Sequence, residues 1–219
     1  MTDVTPPDLP EAARELLDEY ARLLTGWPGL IGRGQPAAAL VEDCLTLLPH
    51  LGDARGVVDV GSGGGMPGIP LAIARPDLGV SLLESDQRKA AFLHSASARL
   101  GVPVEVLAER AETVGRGDRR ESFDLAVCRA LAPLAVLAEL CLPLLRVGGT
   151  LLAMKGPGED PESAIAAVAE LGGGRPRLVP APSAARPGGV LVVVEKPRPT
   201  PAAYPRRPGV PARRPLAAP

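Results

Sequence analysis

Apolar and polar positions follow two periods along this chain, and the change from one to the other sets its architecture. Between residues 9 and 24, Leu9, Ala13, Leu16, Leu17, Tyr20, Leu23 and Leu24 recur at helical spacing opposite Glu11, Arg14, Asp18 and Arg22, which predicts an amphipathic helix. Gly26, Pro28 and Gly29 end it, and a second helix is expected from about Pro36 to Leu48. Further on, short Val- and Leu-rich runs alternate with longer helical patterns. Strands are predicted at 56–60, 80–84, 103–107, 123–128, 149–154, 176–180 and 189–195. Helices are predicted at 68–75, 86–100, 133–145 and 160–171, with Pro133 at the start of the third. Such alternation builds a mostly parallel sheet covered on both faces. Only Ala181 to Gly188 separate the last two strands, so they form a hairpin and one of them runs antiparallel. The fold class expected is α/β, a Rossmann-like sheet of seven strands with a terminal antiparallel hairpin, N-terminal helices and a basic Pro-rich tail. Its parts are a helical cap at 1–50, the sheet domain at 51–196 and the tail at 197–219.

Composition narrows the class. A chain of 219 residues buries a sizeable core, and with aromatics at 2% that core is built from Ala, Val and Leu. Cys44, Cys128 and Cys141 lie in apolar segments without a CxxC or Cys/His cluster, so buried free thiols are expected and a metal is not. No basic-then-apolar leader and no membrane-length apolar run occur, and a cytoplasmic protein is expected. The net charge of −1 hides an asymmetry: Lys196, Arg198, Arg206, Arg207, Arg213 and Arg214 follow residue 195 with no acid among them, and removing those six leaves the rest at −7. A cationic arm on an acidic body points to an anionic partner, nucleic acid first, with a solvated tail as the alternative. The tail has no periodicity and is expected to be irregular unless it docks.

The candidate chemistry sits where the first strand ends. Val57-Val-Asp59-Val runs into Gly61-Ser-Gly63-Gly-Gly65-Met66-Pro-Gly68, and the next strand closes on Glu84. A glycine-rich βα turn lets backbone approach a ligand, and a carboxylate about twenty residues later can hold a ribose diol. A dinucleotide fingerprint would need glycine where Met66 stands. The spacing Gly61-x-Gly63-x-Gly65 behind Asp59 is that of S-adenosylmethionine (SAM) enzymes. Asp59 is expected either to fix the turn through backbone amides or to reach a cationic ligand. Met66 is placed on the adenine or methionine side of the pocket, Ala111-Glu112 in the adenine loop, and Asp86 at a helix cap. Arg129, ending an apolar strand, can pair the cofactor carboxylate or a phosphate; its structural alternative is an ion pair with Asp59 or Asp124. Lys155 ends the fifth strand, either as a further basic contact or as a solvated strand end. No nucleophile–base pair is present, so no catalytic residue is assigned. That suits an acceptor such as guanine N7, which carries a lone pair and no proton.

Several of these runs go beyond a class signature. Asp59-Val-Gly-Ser-Gly-Gly-Gly-Met-Pro-Gly-Ile-Pro-Leu71, Ala74-Arg-Pro-Asp77, Leu83-Glu-Ser85, Lys89-Ala-Ala-Phe-Leu93, Arg110-Ala-Glu112, Arg129-Ala-Leu-Ala-Pro-Leu134 and Lys155-Gly156 resemble the GidB/RsmG family. The closing Lys196-x-Arg198-x-Thr-Pro-x-x-Tyr204-Pro-Arg206-Arg207-x-Gly-x-Pro211 resembles its C-terminal signature. The resemblance implies a SAM-dependent enzyme that methylates N7 of a guanine in the 530 loop of 16S ribosomal RNA. It implies cofactor contacts at Gly61, Met66, Ala111, Glu112 and Arg129. The tail would be an RNA-contacting arm, Tyr204 stacking and Lys196, Arg198, Arg206 and Arg207 meeting phosphates. The partner implied is 16S rRNA or a small-subunit assembly intermediate, met by a monomer that needs neither metal nor membrane. One departure stands out: members usually carry Arg-His on the helix before the first strand, whereas this chain reads Ala39-Leu-Val-Glu42-Asp43-Cys44, which reverses the charge. A small-molecule or protein methyltransferase, a non-catalytic SAM-fold protein and an NAD-linked oxidoreductase remain alternative readings.

Overall fold

The computed structural model describes residues 9–32, 34–129 and 132–216, so Ala130 of the resemblance, the first eight residues of the expected cap and the last three of the tail lie outside the described residues. Seven strands form one sheet: β1 (Gly56–Val60), β2 (Gly79–Leu83), β3 (Glu105–Leu107), β4 (Phe123–Arg129), β5 (Leu145–Lys155), β6 (Arg177–Pro180) and β7 (Val190–Glu195). Their order is β3-β2-β1-β4-β5-β7-β6. Pairs from β3 across to β5 are parallel, and β7 runs antiparallel to both β5 and β6. The expected sheet with one antiparallel strand in a terminal hairpin is what forms.

Side chains alternate across this sheet with period two. Val57, Leu125, Val127, Leu152, Met154, Leu191 and Val193 enter one buried layer, with helices α1 (Glu11–Gly26), α2 (Ala37–Leu45), α3 (Gly68–Ala74) and α4 (Gln87–Leu100). Val58, Val60, Ala126, Cys128, Leu151, Ala153, Val192 and Val194 enter the other, covered by α6 (Leu134–Cys141) and α7 (Ile165–Glu170). The N-terminal helices therefore share the sheet's own core, because Leu17, Tyr20 and Leu24 pack in the same layer as Val57 and Leu82.

Departures from expectation are local. Pro143 lies in a 3-10 turn at Leu142–Leu144 that stops α6 early, and β5 begins at Leu145, four residues before the predicted strand. A short helix α5 (Ala111–Val114) was not expected, since four residues carry no periodic signal. The tail docks and includes a last turn, α8 (Val210–Arg213). No helix among the described residues is long and apolar enough to cross a membrane.

Candidate cofactor site

The site is built where β1, β2 and β4 end side by side. After Val60 the chain turns with φ of 73° at Gly61 and 57° at Gly63, a conformation that favours glycine. The amides of Gly61 and Ser62 both donate to the Leu83 carbonyl, at 2.8 and 3.1 Å, which ties the turn to the end of β2. From the other side α1 braces it: the buried Tyr20 hydroxyl donates to the Gly64 carbonyl at 2.5 Å. A Cβ on Gly64 would lie 2.8 Å from Leu24, and one on Gly68 would lie 2.3 Å from Leu82. A larger residue at either place would push a leucine side chain aside, so glycine gives the closest approach to α1 and to β2.

Asp59 explains the shape of this corner. It is fully buried, and Oδ2 accepts from the Gly68 amide at 3.0 Å, so it holds the start of α3. Its Oδ1 has no hydrogen-bond partner among the described residues. Desolvation pushes the carboxyl up to about 7 against the pull of the Gly68 amide and the Ser62 contact. Of the two roles left open for Asp59, geometry favours the amide. Neither Asp59 nor Gly65 lines the hollows described next, and Gly65 instead lies against Ile69 and Leu93. Both support the turn from behind.

A cavity of about 330 Å³ opens in front of the turn, and Gly61, Gly63, Glu84, Ala111, Glu112 and Arg129 are among its walls. A second hollow of about 260 Å³, which includes Leu30, Leu40 and Met66, adjoins it and shares Gly61, Gly63 and Arg129. Glu84 receives the Gly63 amide on one oxygen at 2.9 Å and the Asp86 amide on the other at 2.8 Å. Asp86 caps α4 through the amides of Arg88 and Lys89, as expected. The residues present suit SAM: bare glycine backbone for close approach, a carboxylate for a ribose diol, and a guanidinium for a carboxylate.

Arg129 is held from a direction the sequence did not indicate. Its Nη1 lies 3.3 Å from the Met66 sulfur, and its Nε lies 3.6 Å from Asp43 of α2. The expected alternatives, Asp59 and Asp124, are not its partners; Asp124 instead takes the Arg55 and Gly56 amides and Arg146. Asp43 is fully buried and also accepts from Ser183 Oγ at 2.6 Å and Arg186 Nε at 3.1 Å. Arg186 in turn donates to the carbonyls of Lys155 and Val190. The negative charge of Asp43 on α2 is thus neutralised from the β6–β7 hairpin. Nothing local in the sequence joins Asp43 to Arg186, which lie 143 positions apart.

The tail corrects a second expectation. Lys196 is fully buried, and its ammonium donates to Glu121 and to the carbonyls of Leu142 and Leu145, each at 2.7 Å. Arg206 grips the buried Glu139 with Nε and Nη2, and Tyr204 donates to Glu170 while packing against the α6–α7 layer. Arg198 donates to the Ala169 carbonyl. From the body, Arg120 reaches the Tyr204 and Thr200 carbonyls and Arg116 the Pro205 and Ala203 carbonyls. Lys196, Tyr204 and Arg206 are therefore turned inward as anchors. Glu121, Glu139 and Glu170 hold their charged or polar ends. Arg207 remains exposed, and its side chain has no partner among the described residues. The strap also reaches the cavity wall: the Gly209 amide donates to Glu112 Oε1 at 2.7 Å. Lys155, at the end of β5, donates to the Ala132 carbonyl at 2.8 Å and lies 3.3 Å from Glu159.

Comparison with known proteins agrees with this geometry. A family model described as GidB, rRNA small subunit methyltransferase G, matches residues 15–170. A protein named ribosomal RNA small subunit methyltransferase G from Moorella thermoacetica is 48% identical over 180 residues, covering 78% of this chain and 74% of that protein. One of the same name from Rubrobacter xylanophilus is 44% identical over 225 residues, covering 94% of this chain and 86% of the relative. Among solved structures, the apo SAM-dependent methyltransferase SibL superposes with a TM-score of 0.61 at 17% identity, covering 86% of this chain and 70% of that one, a likeness of fold. The matched span begins within α1 and includes all of α2. The chain belongs to the GidB family of small-subunit ribosomal RNA methyltransferases and is a SAM-dependent methyltransferase.

Proposed function

We propose that this protein transfers the methyl group of SAM to N7 of a guanine in the 530 loop of 16S ribosomal RNA. The observation that carries the reading is the convergence of Gly61, Gly63, Glu84 and Arg129 on one cavity in a chain of this family. Glu84 takes the ribose hydroxyls, Arg129 pairs with the cofactor carboxylate, and Ala111 and Glu112 flank the adenine. SAM supplies an electrophilic methyl group on a sulfonium. The chain's own work is positioning. Asp43 and Met66 steady Arg129, and Asp59 and Tyr20 fix the turn against which the cofactor lies. Guanine N7 offers a lone pair without a proton, so alignment and exclusion of water suffice and no general base is required. On the docked tail, Arg207, Arg213 and Arg214 are exposed and meet RNA phosphates.

Labelled methyl transfer from SAM to 30S particles and to free 16S RNA, followed by N7-specific cleavage and primer extension, tests this. A single stop at one guanine of the 530 loop is the expected result. Label in protein alone, in no acceptor, or at another ring position would overturn it.

A further inference from the structure

A second charged hollow opens where β5 ends. It measures about 530 Å³, and its walls include Pro133, Leu134, Lys155, Glu159, Asp160 and Ser163. Arg129, the last residue of β4, lines the cofactor cavity, whereas residues 132–134, just after it, line this hollow. Lys155 ends the neighbouring strand β5. Arg129 pairs with Met154, next to Lys155, so the two hollows open at the neighbouring ends of β4 and β5.

The charges in this hollow are unequally engaged. Asp160 Oδ1 accepts the Glu162 amide at 3.0 Å and caps the short turn that follows. Ser163 Oγ donates to the Asp160 carbonyl. Lys155 has two partners, the Ala132 carbonyl and Glu159 Oε1, for three ammonium protons. Glu159 has one described partner, Lys155, on one of its two oxygens. Both side chains are largely sheltered, at 11% and 21% exposure, so the pair works in a lowered dielectric.

We propose that Lys155 and Glu159 form the subsite that reads the Watson–Crick edge of the acceptor guanine, with Pro133 and Leu134 against the face of the base. This rests on the guanine-N7 reading above and names its specificity determinant. A cation beside a carboxylate presents donor then acceptor. Guanine presents the complement in the same order: O6 accepts, and N1–H and the N2 amine donate. Adenine reverses the first two positions, with an amine at C6 and a bare N1. Uracil would set a carbonyl oxygen against Glu159 where guanine sets its amine. The N7 edge of guanine adjoins its Watson–Crick edge at O6, so contacts to N1–H and N2 leave the nucleophilic lone pair of N7 uncovered.

The test uses a 530-loop RNA carrying either guanosine or inosine at the methylated position. Inosine keeps N7, O6 and N1–H and lacks only the N2 amine. The full-length protein is expected to prefer guanosine by about tenfold or more in kcat/KM, the range set by one base-edge contact. Glu159→Gln is expected to lower kcat/KM on guanosine and bring the ratio to within about twofold, with SAM affinity by calorimetry unchanged. Glu159→Asp, which keeps the charge, is expected to retain part of the preference. An unchanged guanosine-to-inosine ratio in Glu159→Gln, or no preference in the unaltered protein, overturns the subsite alone. Failure of the unaltered protein to methylate N7 in either RNA overturns the guanine-N7 reading and the subsite with it.

Discussion

The glycine turn after β1 and the tail after β7 are both short of regular structure and rich in glycine or proline, yet they are held in opposite ways. The turn is tied from behind by its own amides on Leu83, the Tyr20 hydroxyl on Gly64 and the Asp59 carboxylate on Gly68. Its bare backbone is left facing a cavity. The tail is tied through the tips of its charged side chains, with Lys196 and Arg206 sunk onto Glu121 and Glu139 and its carbonyls held by Arg116 and Arg120. What it leaves facing solvent is a remnant of its charge. The difference teaches that a cation's function depends on what surrounds its head group, which a count of charges along a chain does not record.

The sharpest way to break the comparison is to remove an anchor. Arg206→Ala would leave the fully buried Glu139 carboxylate unpaired, and a loss of about 3–5 kcal/mol in urea unfolding is expected. A loss below about 1 kcal/mol would mean that Arg206 is free to serve RNA. Next in size, Arg129→Ala should weaken SAM binding about 10- to 100-fold by calorimetry, the scale of one charge-assisted pair, with little change in stability. Glu84→Ala should weaken it by a similar or smaller factor, because Glu84 also supports the Gly63 and Asp86 amides.

Asp59 gives a pH signature. Its carboxyl titrates near 7 in the fold against 3.8 ordinarily, so between those values the folded protein holds a proton that the unfolded chain has released. Its contribution to stability is therefore fully present below about pH 4 and falls as pH rises toward 7, at up to about 1.4 kcal/mol per pH unit. Asp59→Asn should flatten that slope in unfolding midpoints measured across pH 4–8. A slope identical to that of the unaltered protein would place Asp59 outside this role. The smallest effect belongs to Arg207→Ala, which should alter stability by less than about 0.5 kcal/mol. It should also reduce the salt dependence of RNA binding by about one charge.

These contrasts also show what was legible in the residues. Gly61, Gly63, Glu84 and Arg129 could be placed because each closes a run of strand residues, and parallel strands bring such ends together. The antiparallel hairpin could be read from the eight-residue, turn-rich link at Ala181–Gly188. What could not be read is pairing across distance. Asp43 looked like a reversed charge on α2 until Arg186 and Ser183 were found beside it. Lys196 and Arg206 looked like an RNA-binding arm until Glu121 and Glu139, on other elements, were found beneath them. Helix α5 was missed for its brevity, and with it the contact through which Gly209 steadies Glu112 at the cavity wall.

The most direct measurement is a crystal structure of the full chain grown with S-adenosylhomocysteine. The nucleoside is expected in the cavity between Gly61 and Ala111, its ribose hydroxyls on Glu84 and its carboxylate on Arg129. A ligand bound elsewhere, or none bound at saturating concentration, would contradict the assignment of this cavity.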